Sequence, residues 1–196
     1  MDEEKQLTEQ ESLELIASMI AKAKCDYSET GVGALMWGTI ITFCSLVTFA
    51  GYFLHWDWVS IIWYLPMLAV IPQIIISVKE TKAKKYKTHT DDAMAGIWIS
   101  FGISLSLLSY FVNKYHVPHE VSIFLVLYGY PTFSSGIARK FKPMIIGGIA
   151  CWILAIFSMF VAFPYTMLIS AAEALLAWFI PGLILRGIYL KAKKHV

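Results

Sequence analysis

The chain has 196 residues, 58% of them hydrophobic and 15% charged, and its mean hydropathy is +0.62. Soluble domains carry roughly a quarter charged residues, so this balance excludes an ordinary soluble domain and points to a membrane protein. The formal net charge of +2 conceals a strong separation of charge along the chain.

Met1 to Glu14 is acidic and polar, without the basic and apolar regions of a cleavable signal. The first apolar span is therefore expected to act as an uncleaved signal-anchor. Residues 1–31 form the only polar segment of any size. Thr8 and Glu11 make a capping box, and Leu13, Ile16, Ala17, Ile20 and Tyr27 follow at helical spacing. Glu9, Glu11 and Glu14 at the start and Lys22 and Lys24 near the end suit the helix dipole. A helix this short is marginal alone, so its apolar stripe needs a surface: the bundle ends, lipid headgroups or a protein partner. Its acidic face argues against anionic lipid. Leu13, Ile16, Ile20 and Tyr27 are the candidate partner-binding residues.

Six apolar spans follow: Val32–Phe53, Val59–Val78, Ala93–Val112, Val121–Ala138, Pro143–Phe163 and Thr166–Leu185. Each lies near the ~20 residues that a ~30 Å hydrocarbon layer requires. Most connections are short, so consecutive spans are expected to be antiparallel neighbours. Of the 16 Lys and Arg residues, all but Lys114 fall before span one, after span six, or in the second and fourth connections. Under the positive-inside rule this places both termini in the cytoplasm. Tyr52, Trp56, Trp58, Tyr110, Tyr115 and Tyr165 fall at the opposite edge, where an aromatic belt belongs. The expected architecture is an all-α integral membrane protein. An amphipathic cytosolic helix (residues 1–31) precedes a six-helix transmembrane bundle (32–187) and a basic tail (188–196).

The last span carries the only intramembrane carboxylate, Glu173, in a run of small residues comprising Ser170, Ala171, Ala172, Ala174 and Ala177. A charge at mid-depth costs ~2.5–3.5 kcal/mol on insertion scales, so Glu173 is the first candidate for a functional residue. Small neighbours let another helix approach, which turns this face inward. Pro181-Gly182, further along, interrupts the backbone ladder. Two readings stand: a protonatable or cation-binding acid at a hydrated cavity, or a protonated acid bonded to a Tyr, a Ser or a freed carbonyl opposite. Pro66, Pro72 and Gln73 in span two, and Tyr128-Gly129-Tyr130-Pro131-Thr132 with Ser134 and Ser135 in span four, predict kinked helices. Such stretches face protein or water, as packing devices or as a substrate site. Glu173, Gln73, Tyr128, Thr132 and Ser135 form the candidate ligand- or ion-binding set.

His55 and Asp57 in the first outer connection, with His116 and His119 in the second, form a candidate metal set. The helix-start preferences of Pro118 and Glu120 explain the same residues without a metal. Cys25, Cys44 and Cys151 are scattered and read as small apolar packing residues. No GxSxG, HExxH, Walker A or paired intramembrane aspartate motif is present, so neither an enzyme nor a cofactor is expected. The lysine run Lys79–Lys87, interleaved with Glu80, Thr81 and Thr88, reads as a topology signal and not as a nucleic-acid site.

ESLELIASMIAKAK, GALMWG at the entry to span one, and YGYPTFSSGIARKFKPMIIGGIACW from Tyr128 to Trp152 resemble an uncharacterised family of small bacterial inner-membrane proteins. The resemblance implies six spans, a cytosolic N-terminal helix and a bacterial inner-membrane location, and it supplies no catalytic residue. The sequence thus favours a non-enzymatic accessory, sensory or signalling subunit. Its expected partners are the lipid bilayer and a cytosolic protein or a second copy. The alternative is a small transporter with a midplane cavity around Glu173.

Overall fold

The computed structural model describes residues 30–83 and 89–194, and these are helical between turns, with no strand among them. Helix α1 is Val32–Phe53. A 3-10 turn, Val59–Tyr64, leads into α2, Leu65–Ala83. Then come α3, His89–Tyr115, α4, Glu120–Ala138, and α5, Lys142–Ser158. The last pass joins α6, Tyr165–Ala174, through a π-helical turn, Leu175–Phe179, to α7, Ile180–Lys194. The N-terminal helix expected over residues 1–31, with Leu13, Ile16, Ile20 and Tyr27, lies outside the described residues, apart from its last two positions.

Successive passes are antiparallel. Thr30 meets Glu80 at one end of the α1–α2 pair, and Gly51 meets Val59 at the other. Gly136 meets Ile145, and Ser122 meets Ser158, across α4 and α5. Gly147 meets Ala177, and Cys151 meets Glu173, across α5 and the last pass. Five stretches are long and apolar enough to cross a membrane: Val32–Phe53, Val59–Lys82, Thr90–Tyr115, Glu120–Ala138 and Tyr165–Lys193. The apolar helix Lys142–Ser158 has 17 residues; at ~1.5 Å rise it reaches ~26 Å.

The fifth pass therefore stops short of the expected Phe163. Pro164 cannot donate to a helical ladder, and a proline disfavours helical backbone at the residue before it. The second pass begins as a 3-10 turn, and Pro66 sits in the first turn of α2, where its missing N–H costs nothing. Helix α4 runs unbroken through Pro131. The backbone irregularity falls in the last pass instead, where Ile180 N–H reaches back to Leu175 O ahead of Pro181. The last helix continues to Lys194, so residues 188–194 extend it.

Water cannot satisfy the backbone inside lipid, and lipid tails are as apolar as leucine, so helices associate there by close packing. The inner members are α1, α4, α5 and the α6–α7 pass. Glycines let them approach. A Cβ on Gly148 would stand 2.7 Å from the Phe133 backbone nitrogen, and one on Gly38 would stand 2.7 Å from that of Phe179. Among the described residues, by contrast, α2 packs its backbone close to α1 and its own 3-10 turn, and α3 packs close to α4. Met67, Leu68, Ile71, Ile74 and Ile75 of α2 and Ile99, Ile103 and Leu107 of α3 are all exposed. A helix apolar all round with one protein neighbour is suited to lipid or to another membrane helix.

The aromatic residues expected at one edge do lie at one end of the bundle and are exposed there. Trp56 and Trp58 stack with centroids 5.2 Å apart, and Tyr52 meets Phe163 edge-on at 5.4 Å. At the opposite end α4 closes with a Schellman turn. Phe141 N–H reaches Gly136 O at 2.8 Å, Lys140 N–H reaches Ile137 O at 3.0 Å, and Lys140 takes φ +52°.

Candidate functional site

Glu173 sits on α6, and its small neighbours Ala174 and Ala177 are fully buried, so the inward turn of this face follows from the alanine run. The side chain is 1% exposed. Its Oε1 accepts the Cys151 thiol of α5 at 3.0 Å. The expected partner was a Tyr, a Ser or a freed carbonyl, and the observed one is a cysteine read from sequence as plain packing. The signal was the matched depth of Cys151 and Glu173 on facing passes, visible only once α5 and α6 are paired. Among the described residues no basic side chain acts on the carboxyl.

Tyr128, Cys151, Ala174, Ala177, Trp178 and Ile41 form one buried cluster around this position. The Tyr128 phenol is within electrostatic reach of both Glu173 and Cys44. Tyr128 stands edge-on to Trp178 at 5.2 Å, and Trp178 meets Trp37 of α1 at 6.4 Å. The Trp178 indole N–H donates to Thr132 Oγ1 at 3.0 Å, and that hydroxyl donates onward to Tyr128 O at 2.9 Å. Trp178 on the π turn thus ties together Tyr128 and Thr132, and Glu173, on the preceding turn of α6, lies beside the same cluster. Trp178 lies within the π turn, on the side that faces α4.

The other two candidates stand elsewhere. Gln73 bridges α1 and α2: its Oε1 accepts the Trp37 indole N–H at 3.0 Å, and its amide donates to Ser77 Oγ at 3.0 Å. Ser135 is fully buried on α4, and its hydroxyl has no hydrogen-bond partner among the described residues. The metal set is not assembled. Among the described residues no three His, Cys, Asp or Glu side chains converge on a point that holds a metal. His55 ends α1 and His116 ends α3, both in left-handed backbone geometry, and such turns satisfy helix carbonyls without a metal.

Among the described residues two half-open depressions lie between the helices, and neither is lined by any of the five candidate ligand residues. One, of about 270 Å³, lies in the seam of α3 and α4 between Ser100, Ser104, Tyr130 and Ser134. The other, of about 400 Å³, opens at the aromatic end between the α3–α4 and α5–α6 turns.

The fold and this region define a helical membrane bundle with a filled, internally bonded polar core. No protein family, curated protein or solved structure matches the chain. The roles of its residues therefore rest on the geometry alone.

Proposed function

We propose that the protein is a non-enzymatic accessory, sensory or signalling subunit of a bacterial inner membrane, crossing it six times with both termini in the cytoplasm. Residues 9–27 engage a cytosolic protein or a second copy, and the bundle anchors them. The observation that carries the reading is the packing around Glu173. The one acid in the apolar passes is 1% exposed, bonded to Cys151, and absent from the walls of both cavities. A transport site needs water or substrate at its carboxylate, and here side chains fill that space. The orientation follows from the charge pattern, because Lys114 alone stands at the aromatic end. Membership of the small inner-membrane family that the sequence resembles belongs to the same proposal.

The test compares the full chain with a variant lacking residues 1–27, both purified from membranes and checked for equal thermal stability. The expected result is that the shortened bundle inserts and melts normally but no longer retains the partner or second copy. Unchanged co-purification would remove the N-terminal segment from the function. Solute uptake that is abolished by Glu173→Gln would replace the reading with transport.

A further inference from the structure

The chain divides its charge unevenly. Residues 1–29 carry eight acidic and three basic side chains, a formal −5, against +7 for residues 30–196, which together give the +2 of the whole chain. Every described Lys and Arg except Lys114 stands at the end of the bundle opposite the aromatic one. The positive-inside rule accounts for these basic residues, but acidic residues carry little topological weight, so it leaves the acidity of residues 1–29 unexplained. The structure fixes where that segment meets the bundle. Thr30 donates its backbone N–H and its hydroxyl to Glu80 Oε1 at 2.9 and 2.6 Å. Gly31, at φ +71°, lies so close to α7 that a Cβ would stand 2.7 Å from Gly182 O, 2.9 Å from Arg186 N and 3.0 Å from Leu185 Cβ. Leu185 in turn clusters with Phe141 and Met144 at the α4–α5 turn. Lys140 and Lys142 flank Phe141 and are exposed, as are Lys191 and Lys193 near the end of α7. The root of an acidic segment is thus seated, through one shared leucine, beside a basic turn.

We propose that residues 1–29 dock in cis on this basic end of the bundle, with Asp26 and Glu29, the acids nearest the root, beside Lys140, Lys142 and Arg186. A tethered segment meets its own bundle at a roughly millimolar effective concentration, so weak ion pairs suffice to hold it. Even as one continuous helix the segment would reach ~40 Å, several times the ~10 Å between packed helices, so Glu9, Glu11 and Glu14 can also reach basic helix ends. Exposed ion pairs add only ~0–1 kcal/mol each to stability, so this docking is compatible with a shortened chain that melts normally. The proposal does not depend on a partner for residues 9–27; a partner that takes them must displace this contact.

The test measures hydrogen exchange of the backbone amides of residues 9–27 by mass spectrometry. It uses the full chain in phosphatidylcholine nanodiscs holding one copy each, where neither anionic lipid nor a second copy can stand in. Exchange about tenfold slower than in the double variant Lys140→Glu with Lys142→Glu is expected. Raising NaCl from ~0.05 to ~0.5 M, which shortens the screening length about threefold, should speed exchange in the parent and leave the double variant unchanged. Adding Asp26→Lys and Glu29→Lys to the double variant should restore slow exchange, a recovery that a misfolded variant cannot give. Equal exchange in parent and double variant, no response of the parent to salt, or no recovery on the charge swap would each overturn the proposal. Slow exchange confined to discs holding two copies would also overturn it, in favour of docking on a second copy. None of these outcomes decides the partner reading, which is judged by co-purification.

Discussion

Replacing Glu173 separates a packed acid from a working one, because the two roles move stability in opposite directions. The side chain is 1% exposed, in a cluster whose neighbours Cys151, Ala174 and Ala177 are fully buried. Glu173→Ala empties that volume and strips the Cys151 thiol of its acceptor. Large-to-small substitutions at buried positions cost ~2–5 kcal/mol, and a central ~3 kcal/mol is expected here. For a chain of this length ~1 kcal/mol moves the midpoint by ~2–4 °C, so a fall of roughly 6–12 °C is expected. Glu173→Gln keeps the volume and an acceptor oxygen for the thiol, and should stay within ~1 kcal/mol of the parent. Thermal unfolding in one mild detergent, followed by far-ultraviolet circular dichroism, measures both. An acid held for function is commonly a destabilised residue whose removal raises stability. A Glu173→Ala variant that melts at or above the parent would therefore refute the packing account.

Two further substitutions probe the frame that holds this cluster. Gly148→Ala drives a Cβ to 2.6–2.8 Å from the Phe133 Cβ, nitrogen and Cα, so α4 and α5 must part, whereas Gly102→Ala meets nothing within 4 Å. The first should lose ~1–3 kcal/mol in the same melting assay and the second should not be destabilised; equal shifts would show that α4 and α5 are not in close apposition. Ser135→Ala removes a buried hydroxyl with no partner among the described residues and should raise the midpoint by the equivalent of ~1 kcal/mol, while a fall would reveal a hydrogen bond to a bound water or to another part of the chain.

The passes were legible because lipid imposes both length and apolar composition on them, and five of the predicted spans coincide with helices long enough to cross. Their antiparallel order followed from short connections. Span ends were less legible. The hydropathy of Met159–Phe163 continues that of α5, yet the helix ends at Ser158; Pro164 restricts Phe163 alone, so it sets a limit on the helix but not its last residue. Glu173 and the inward turn of its alanine face were readable from one residue and its small neighbours. Its partner was not, because a cysteine thiol and a packing methyl look alike in a sequence until α5 and α6 are paired. Gln73 illustrates the opposite limit. A lone intramembrane amide suggested the Glu173 site, yet its bond to Trp37 commits it to the α1–α2 seam. Ser122, Ser158 and Thr166 line the depression at the aromatic end from three different helices, and no local pattern in any one of them announces it.

The polar residues of the apolar passes share a use that explains their spacing better than a permeation path does. Trp37 bonds Gln73 between α1 and α2, Trp63 bonds Thr48 between the 3-10 turn and α1, and Ser45 bonds Ser170 between α1 and α6. Cys151 bonds Glu173 between α5 and α6, Trp178 bonds Thr132 between the π turn and α4, and Ser122 bonds Ser158 between α4 and α5. Each bond joins two segments, and the bonds form separate pairs at different depths rather than one connected file. Interhelical bonds in membranes average ~0.6 kcal/mol, so together they contribute only a few kcal/mol. Their larger effect is on register, since sliding one helix by a turn would leave several polar groups in hydrocarbon at once. The serines Ser100, Ser106 and Ser109 of α3 turn back on their own helix carbonyls instead. That leaves the middle of α3 held to α4 by apolar contacts such as Phe101 on Tyr128, at 5.6 Å. In that stretch α3 rests on the core through apolar packing, which fixes register less sharply than the bonds between the inner passes do.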